Sequence, residues 1–325
     1  MIVRLVTVRR MALLSVAVIA ASAVCVSVQS QTQAKPSIPA KDVQIVLLGT
    51  GTPTPNPDRQ GPSLAIVVNR KAYLVDAGTG VVRQANGAFQ RGMSALQPAA
   101  LDIAFLTHLH SDHTLGLPDL ILTPWVQERT KPLQLYGPPG TKAMAEHILE
   151  AYQEDISVRT SGNESGNRAG YKVEAHEVRP GTVYQDENVA VKAFQVKHAP
   201  WKIALGYRFD ADSKSIVISG DTSPAESVVA ACDGCDVLIH EVYAGRGPNP
   251  GKPSLSVEQW MKYESEAHTS AEELGEIAAR AKAKMLILTH WTLLADTKPD
   301  DMVREIRQKY SGPVVVGRDL DIITP

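Results

Sequence analysis

The chain has 325 residues, 44% of them hydrophobic and 21% charged, with a formal net charge of −2. That composition is ordinary for a globular protein and leaves ample apolar material for a core. It excludes a strongly basic nucleic-acid footprint, and no linker, repeat or heptad run divides it.

Residues 1–34 stand apart. Arg4, Arg9 and Arg10 precede an apolar stretch from Met11 to Val28 that includes the small run Ala20-Ala21-Ser22-Ala23, followed by the polar Gln29–Gln33. The pattern predicts a secretory signal peptide, with a single uncleaved membrane anchor as the competing reading. Removing it takes away three arginines and no acid, so the formal net charge falls from −2 to −5. Residues 35–325 are then expected to be one domain, periplasmic or secreted. They keep Cys232 and Cys235 in a Cys-Asp-Gly-Cys spacing. That pair fits a turn-closing disulfide or two idle thiols; a zinc ribbon needs a second pair.

Val43–Leu48 reads as a strand, with Gly49–Pro53 as the turn after it. Leu64–Val68 and Ala72–Val75 read as hairpin strands about Asn69-Arg70-Lys71, and Asp76–Gly80 opens a helix. Leu101–Leu106 and Leu133–Tyr136 are strands, and Gly140–Tyr152 is a helix. Ser161–Gly170 is rich in Gly, Asn and Ser and reads as loop. Strands follow at Lys172–Val178, Val189–Val196, Ile203–Phe209, Ser215–Ser219 and Asp236–His240, with a helix over Pro224–Ala231. Ser270–Lys282 has helical spacing, with Thr269 or Ser270 as N-cap and Glu272-Glu273 in the first turn. Met285–Leu288 is a strand and Asp300–Tyr310 a helix. Each half is a run of strands with helices interspersed. This predicts an α/β fold of two sheets packed face to face with helices outside, a four-layer αββα sandwich.

The chemistry concentrates after Ile103-Ala104-Phe105-Leu106-Thr107, in His108-Leu109-His110-Ser111-Asp112-His113. Three imidazoles and a carboxylate this close are costly to bury without a partner, and a divalent metal pair fits them. In an extended segment His108 and His110 point the same way; a turn then swings Asp112 and His113 toward a second metal. Four more metal-capable residues close apolar strands: Asp76 after Tyr73-Leu74-Val75, His198 after Val189–Val196, Asp221 in Gly220-Asp221-Thr222, and His290 after Leu286–Thr289. Strand ends are where sheets present functional loops.

With Thr-His-Leu-His-Ser-Asp-His, His198, Gly-Asp-Thr and Thr289-His290, residues 43–325 resemble the metallo-β-lactamase-fold hydrolases. The resemblance implies that His108, His110 and His198 hold one metal, that Asp112, His113 and His290 hold the other, and that Asp221 bridges them. The metals implied are two zinc ions; iron or manganese suits one site as well. The resemblance also implies a shared water ionised to hydroxide, Asp112 counted among the catalytic groups, and Asp76 orienting a ligand through its free ring nitrogen.

Within that superfamily the chain resembles the ribonuclease Z / arylsulfatase-type branch, through Leu48–Pro53, Gly116-Leu117-Pro118, Tyr136-Gly137-Pro138, Ile239-His240-Glu241 and Ala267-His268-Thr269-Ser270-Ala271. There His268 is implied as general acid or contact to the scissile anion, supported by Glu241. His240 reads as structural, and His147 and His176 as surface residues.

Three features favour small substrates over RNA. Only 22 residues, 199–220, separate His198 from Asp221 and leave no room for a tRNA-binding arm. The mature chain is acidic, and export removes it from tRNA. The expected function is therefore an exported dinuclear zinc hydrolase of sulfate or phosphate esters, arylsulfatase-like, acting on a small molecule and not on nucleic acid. A ribonuclease Z-like phosphodiesterase is the alternative, and a lactonase or other carboxyl-ester hydrolase a further one. A homodimer is compatible with the sequence. Trp125, Trp201, Trp260 and Trp291 are candidates to line an aromatic-accepting cleft, and Gly245–Gly251 reads as a mobile loop that would gate it.

Overall fold

In β1 (Gln44–Gly49), Ile45 and Leu47 face one core while Val46 and Leu48 face another. Strands buried on both faces read as continuous apolar runs, which is why they were legible in the sequence. The computed structural model describes residues 43–161, 167–248 and 254–325. The signal segment 1–34 and residues 249–251 of the expected gating loop lie outside the described residues.

β1 pairs antiparallel with β2 (Ser63–Val68), which pairs with β3 (Lys71–Val75) across a tight turn. Asn69 (φ 49°) and Arg70 (φ 65°) take the two left-handed positions of that turn. β4 (Ile103–Phe105), β5 (Leu133–Gly137) and β6 (Val173–Glu177) continue the sheet in parallel. The second sheet starts with β7 (Gly181–Gln185), β8 (Ala190–Val196), β9 (Ala204–Ala211) and β10 (Lys214–Ile218), all antiparallel. It then continues in parallel through β11 (Val237–Ala244), β12 (Leu286–Leu293) and β13 (Val314–Val316). β14 (Ile322–Ile323) returns to pair with β1. Among the described residues two seven-stranded sheets result.

Ile45, Ile66, Tyr73 and Phe105 of the first sheet meet Tyr207, Phe209, Ile216 and Ile239 of the second. The outer face of the first sheet is covered by helices Val81–Gln90 and Leu117–Val126, through Val82, Ala85, Leu120 and Ile121. Helices Glu226–Cys232, Ala271–Arg280 and Pro299–Ile306 cover the second, through Val228, Leu274, Ile277 and Met302. This is the αββα order read from the sequence.

Several elements differ from that reading. β11 and β12 run on through Glu241 and His290, so both residues sit inside strands and not after them. β7 was missed because it is a half-exposed strand at the sheet edge. Helix Leu117–Val126 was missed because it carries Pro124 internally. Helices Gln153–Ser161 and Val257–Ala267 were also missed. Cys232 and Cys235 form a disulfide across the turn that ends helix Glu226–Cys232, with Cα atoms 4.7 Å apart.

Each parallel run places its carboxyl ends on one edge of its sheet. The residues that follow β3, β4, β8 and β10, together with the bulged end of β12, meet at that shared edge.

Candidate metal centre

His108 and His110 leave β4 in extended backbone, and the single turn Ser111–Thr114 brings Asp112 and His113 back over them. The loop is pinned by Ala77 N donating to His113 O (2.8 Å) and Gly116 N to Ala77 O (2.8 Å). Gly78 permits this closeness: a Cβ there would lie 2.7 Å from Asp112 O and 2.3 Å from Gly61 C. The second sheet is tied to the same point, with Leu205 N donating to Thr107 O (2.9 Å) and Tyr207 Oη to Leu106 O (2.8 Å).

Two donor sets converge. His108 Nε2 lies 3.0 Å from His110 Nδ1, which lies 3.1 Å from His198 Nε2. Beside them, His290 Nε2 is 3.2 Å from Asp112 Oδ2, and His113 Nε2 is 3.5 Å from the same oxygen. Asp221 Oδ2 stands between the sets: 3.4 Å from His113 Nε2, 3.5 Å from His290 Nε2, and 3.9 Å from both His108 Nε2 and His198 Nε2. All seven residues named from the sequence are therefore brought together.

The donor atoms are oriented from behind. His198 Nδ1 donates to Ala267 O (2.8 Å), leaving the lone pair of Nε2 toward the cluster. His113 Nδ1 donates to Asp76 Oδ2 (2.9 Å), while its Nε2 is buried with no hydrogen-bond partner. Asp76 is fixed in turn by Thr107 N (2.8 Å) and Thr107 Oγ1 (2.9 Å). Carboxylates behind ligand histidines are the usual orienting partners in metal sites.

Strain accompanies the site. Asp76 has φ 61°, and His290 has φ 45° as the extra residue of a bulge between the Glu241–Thr289 and Val242–Trp291 pairs. Such residues cost energy and persist only where packing over-determines them. Gly220, φ +61°, turns the chain out of β10 so that Asp221 enters the cluster.

Burial and the neighbouring His113, His198 and His110 hold the His108 pKa well below its usual value; burial and His198 lower that of His110 to about 4. Both rings are thus neutral, as metal ligands must be. Burial opposes charge on His113, but Asp221, Asp76 and Asp112 outweigh it and hold its pKa well above normal. An anionic pocket that recruits a proton in this way, around an orphaned Nε2, fits a divalent cation. Nitrogen and carboxylate oxygen are the donor types for it.

His268 Nδ1 lies 3.4 Å from Glu241 Oε2, and Glu241 Oε1 accepts from Thr269 N (2.9 Å). Burial would lower the His268 pKa, yet Glu241, Asp221 and Glu264 raise it to about 9. His240 is structural as expected, its Nδ1 donating to Glu241 O (2.6 Å).

A cleft of about 610 Å³ opens on the cluster, lined by His110, Asp112, Trp260, Tyr263, Glu264 and His268 among others. Of the four tryptophans, Trp260 lines it, Trp201 packs edge-on against His110 (5.2 Å), Trp291 stacks under Arg59 (3.6 Å) and Trp125 joins the helix-side core. Tyr263 and Glu264 were not anticipated. Their helix was announced only by its capping box, Ser256 and Gln259, whose reciprocal hydrogen bonds are formed.

Fold and donor set define a metal-dependent hydrolase. A family model described as a beta-lactamase superfamily domain matches residues 71–291. Ribonuclease Z of Mycobacterium marinum is 34% identical over 267 residues, 81% of this chain and 91% of that protein. Ribonuclease Z of Mycobacterium bovis is 33% identical over the same length. The Bacillus subtilis metallo-beta-lactamase fold protein YhfI superimposes with a TM-score of 0.64 at 18% identity, over 88% of this chain and 100% of that one. Human tRNase Z, short form (ELAC1), gives 0.61 at 22% identity, over 86% and 98%. The chain belongs to the metallo-β-lactamase-fold superfamily, on its ribonuclease Z branch.

Two expectations are corrected by these relatives. The arylsulfatase-like reading does not stand, because the extensive sequence matches are to ribonuclease Z. The exclusion of nucleic acid falls with it. Its supports were the short span between His198 and Asp221, the acidic charge and the expected export, and they do not outweigh a match covering 91% of the M. marinum ribonuclease Z. Net charge was a poor guide as well, since a polyanion meets local charge. Exposed Arg179 and Lys202 line a cavity of about 570 Å³ with Trp201, beside His110.

Proposed function

We propose that the chain is a ribonuclease Z-type phosphodiesterase that hydrolyses an RNA phosphodiester and uses two zinc ions. His108, His110 and His198 would hold one ion, Asp112, His113 and His290 the other, and Asp221 would serve both. Bound there, the ions would supply an ionised water and neutralise the phosphate oxygens.

The chain's own groups do the rest. As water adds to phosphorus, the P–O bond to the leaving ribose oxygen breaks, and that oxygen needs a proton. His268, charged and held at Nδ1 by Glu241, delivers one from its other ring nitrogen. Glu241 keeps the ring oriented through its own bond from Thr269 N (2.9 Å). Arg179, Lys202 and Trp201 supply cationic and aromatic contact for the flanking strand.

The observation that carries this reading is the seven-residue cluster with Asp221 Oδ2 within 3.9 Å of both donor sets, in a chain 34% identical to a ribonuclease Z. The test is incubation of zinc-loaded protein with precursor tRNA carrying a 3′ trailer, beside an aryl sulfate. Trailer removal with the sulfate untouched is expected. Sulfate turnover with intact precursor would refute it.

A further inference from the structure

We propose that helix Val257–Ala267 builds a ribose-binding subsite, in which the Glu264 carboxyl and the Trp260 indole hydrogen-bond the hydroxyls of the nucleotide beside the scissile phosphate. This rests on the RNA reading above and adds the feature that separates RNA from DNA.

Trp260 and Glu264 are four residues apart and so share one face of the helix. Both are buried, at 6% and 3% exposure, and both line the cleft that reaches His110, His268 and His290. Trp260 Nε1 has no hydrogen-bond partner. Among the described residues, no hydrogen bond or ion pair reaches the Glu264 carboxyl either. A buried indole N–H left in this state costs about 1–3 kcal/mol and calls for an explanation. This orphaned donor and an unpaired carboxyl, on one helix face and both lining the cleft, point to a partner that arrives with the substrate.

The inventory of donors and acceptors narrows that partner. The carboxyl accepts two hydrogen bonds and the indole donates one. Vicinal ribose hydroxyls supply two O–H donors and an oxygen to accept from the indole. A carboxylate on a ribose hydroxyl is the pairing that dinucleotide-binding folds also use. Burial, with Glu241 and Asp221, pushes Glu264 up to about 7 against the pull of His268 and His290. Tyr263 is 39% exposed, with its ring 5.2 Å from that of Trp260, and offers a face on which the attached base stacks.

The test is calorimetric binding of adenosine monophosphates, in their 3′ and 5′ isomers, against the 2′-deoxy forms of each, on the metal-loaded protein. In at least one isomer pair the ribose form binds about tenfold more tightly or better. Glu264→Gln and Trp260→Phe each cut that ratio at least threefold, and their melting temperatures report folding; should one variant not fold, the other carries the comparison. Absence of any preference in the wild type, or a preference that the folded variants keep, overturns the subsite. The measurement needs no cleavage. A protein that discriminates ribose but leaves precursor tRNA intact keeps this inference and loses the ribonuclease Z reading.

Discussion

Asp76 is not expected to touch metal, yet its removal should be felt there. Its carboxylate is buried and holds His113 Nδ1 at 2.9 Å, Thr107 N at 2.8 Å and Thr107 Oγ1 at 2.9 Å. Asp76→Ala frees the His113 ring to rotate or to move its proton to Nε2, the atom required as a ligand. It also strands a buried backbone N–H, which costs about 1–3 kcal/mol. Loss of such an orienting carboxylate typically weakens metal binding 10–100-fold, equal to about 1.4–2.7 kcal/mol. Zinc titration against a chromophoric chelator should therefore show the site of Asp112, His113 and His290 weakened 10–100-fold, with the three-histidine site little changed. Asp76→Asn should fall between alanine and wild type, because an amide oxygen still accepts from His113. Unchanged affinity at both sites would refute the argument that orientation through His113 matters.

His268→Ala should keep both metals and lose turnover roughly a hundredfold or more, the usual effect of deleting a general acid; loss of metal in this variant would instead make His268 a ligand. The wild-type rate should fall with rising pH as His268 loses its proton. Cations nearby lower the value of about 9, so the limb should lie at or below pH 9 and vanish in the variant. Gly220→Ala puts a Cβ 2.8 Å from Leu205 O and 2.9 Å from Thr107 Cβ at φ +61°. The left-handed backbone alone costs about 1–2 kcal/mol, read as roughly 2–4 °C of melting temperature per kcal/mol, and metal affinity should fall with it; an unshifted melt would contradict this. Arg179→Glu with Lys202→Glu should weaken RNA binding and flatten its salt dependence while bis(4-nitrophenyl) phosphate turnover holds; an unchanged salt slope would remove that patch from the RNA path.

The metal cluster was legible because ligands come as side chains of particular types at strand ends, and the strands announce themselves as apolar runs. His108 to His113 lie within one local segment, and even distant His198 and Asp221 follow strands that could be read singly, while His290 lies at a bulge inside one. The substrate was not legible in the same way. The cleft wall is a helix whose cleft-lining face, Trp260, Tyr263 and Glu264, looks in sequence like any amphipathic surface; only the fold shows which way that face points. Placing Glu241 and His290 after their strands failed for a related reason. β11 and β12 run on to Ala244 and Leu293, and pairing between neighbours, not local propensity, sets where such strands end. The count of charges averages over the surface, whereas Arg179 and Lys202 line one cavity with Trp201, whose ring packs against His110.

Metal analysis of purified residues 35–325, in the wild type and in Asp221→Ala, tests the central claim most directly. About two equivalents of zinc per wild-type chain are predicted, with weakened binding at both positions once the shared carboxylate is gone. No stoichiometric transition metal in the folded wild type, or two undiminished equivalents in the variant, would contradict the account.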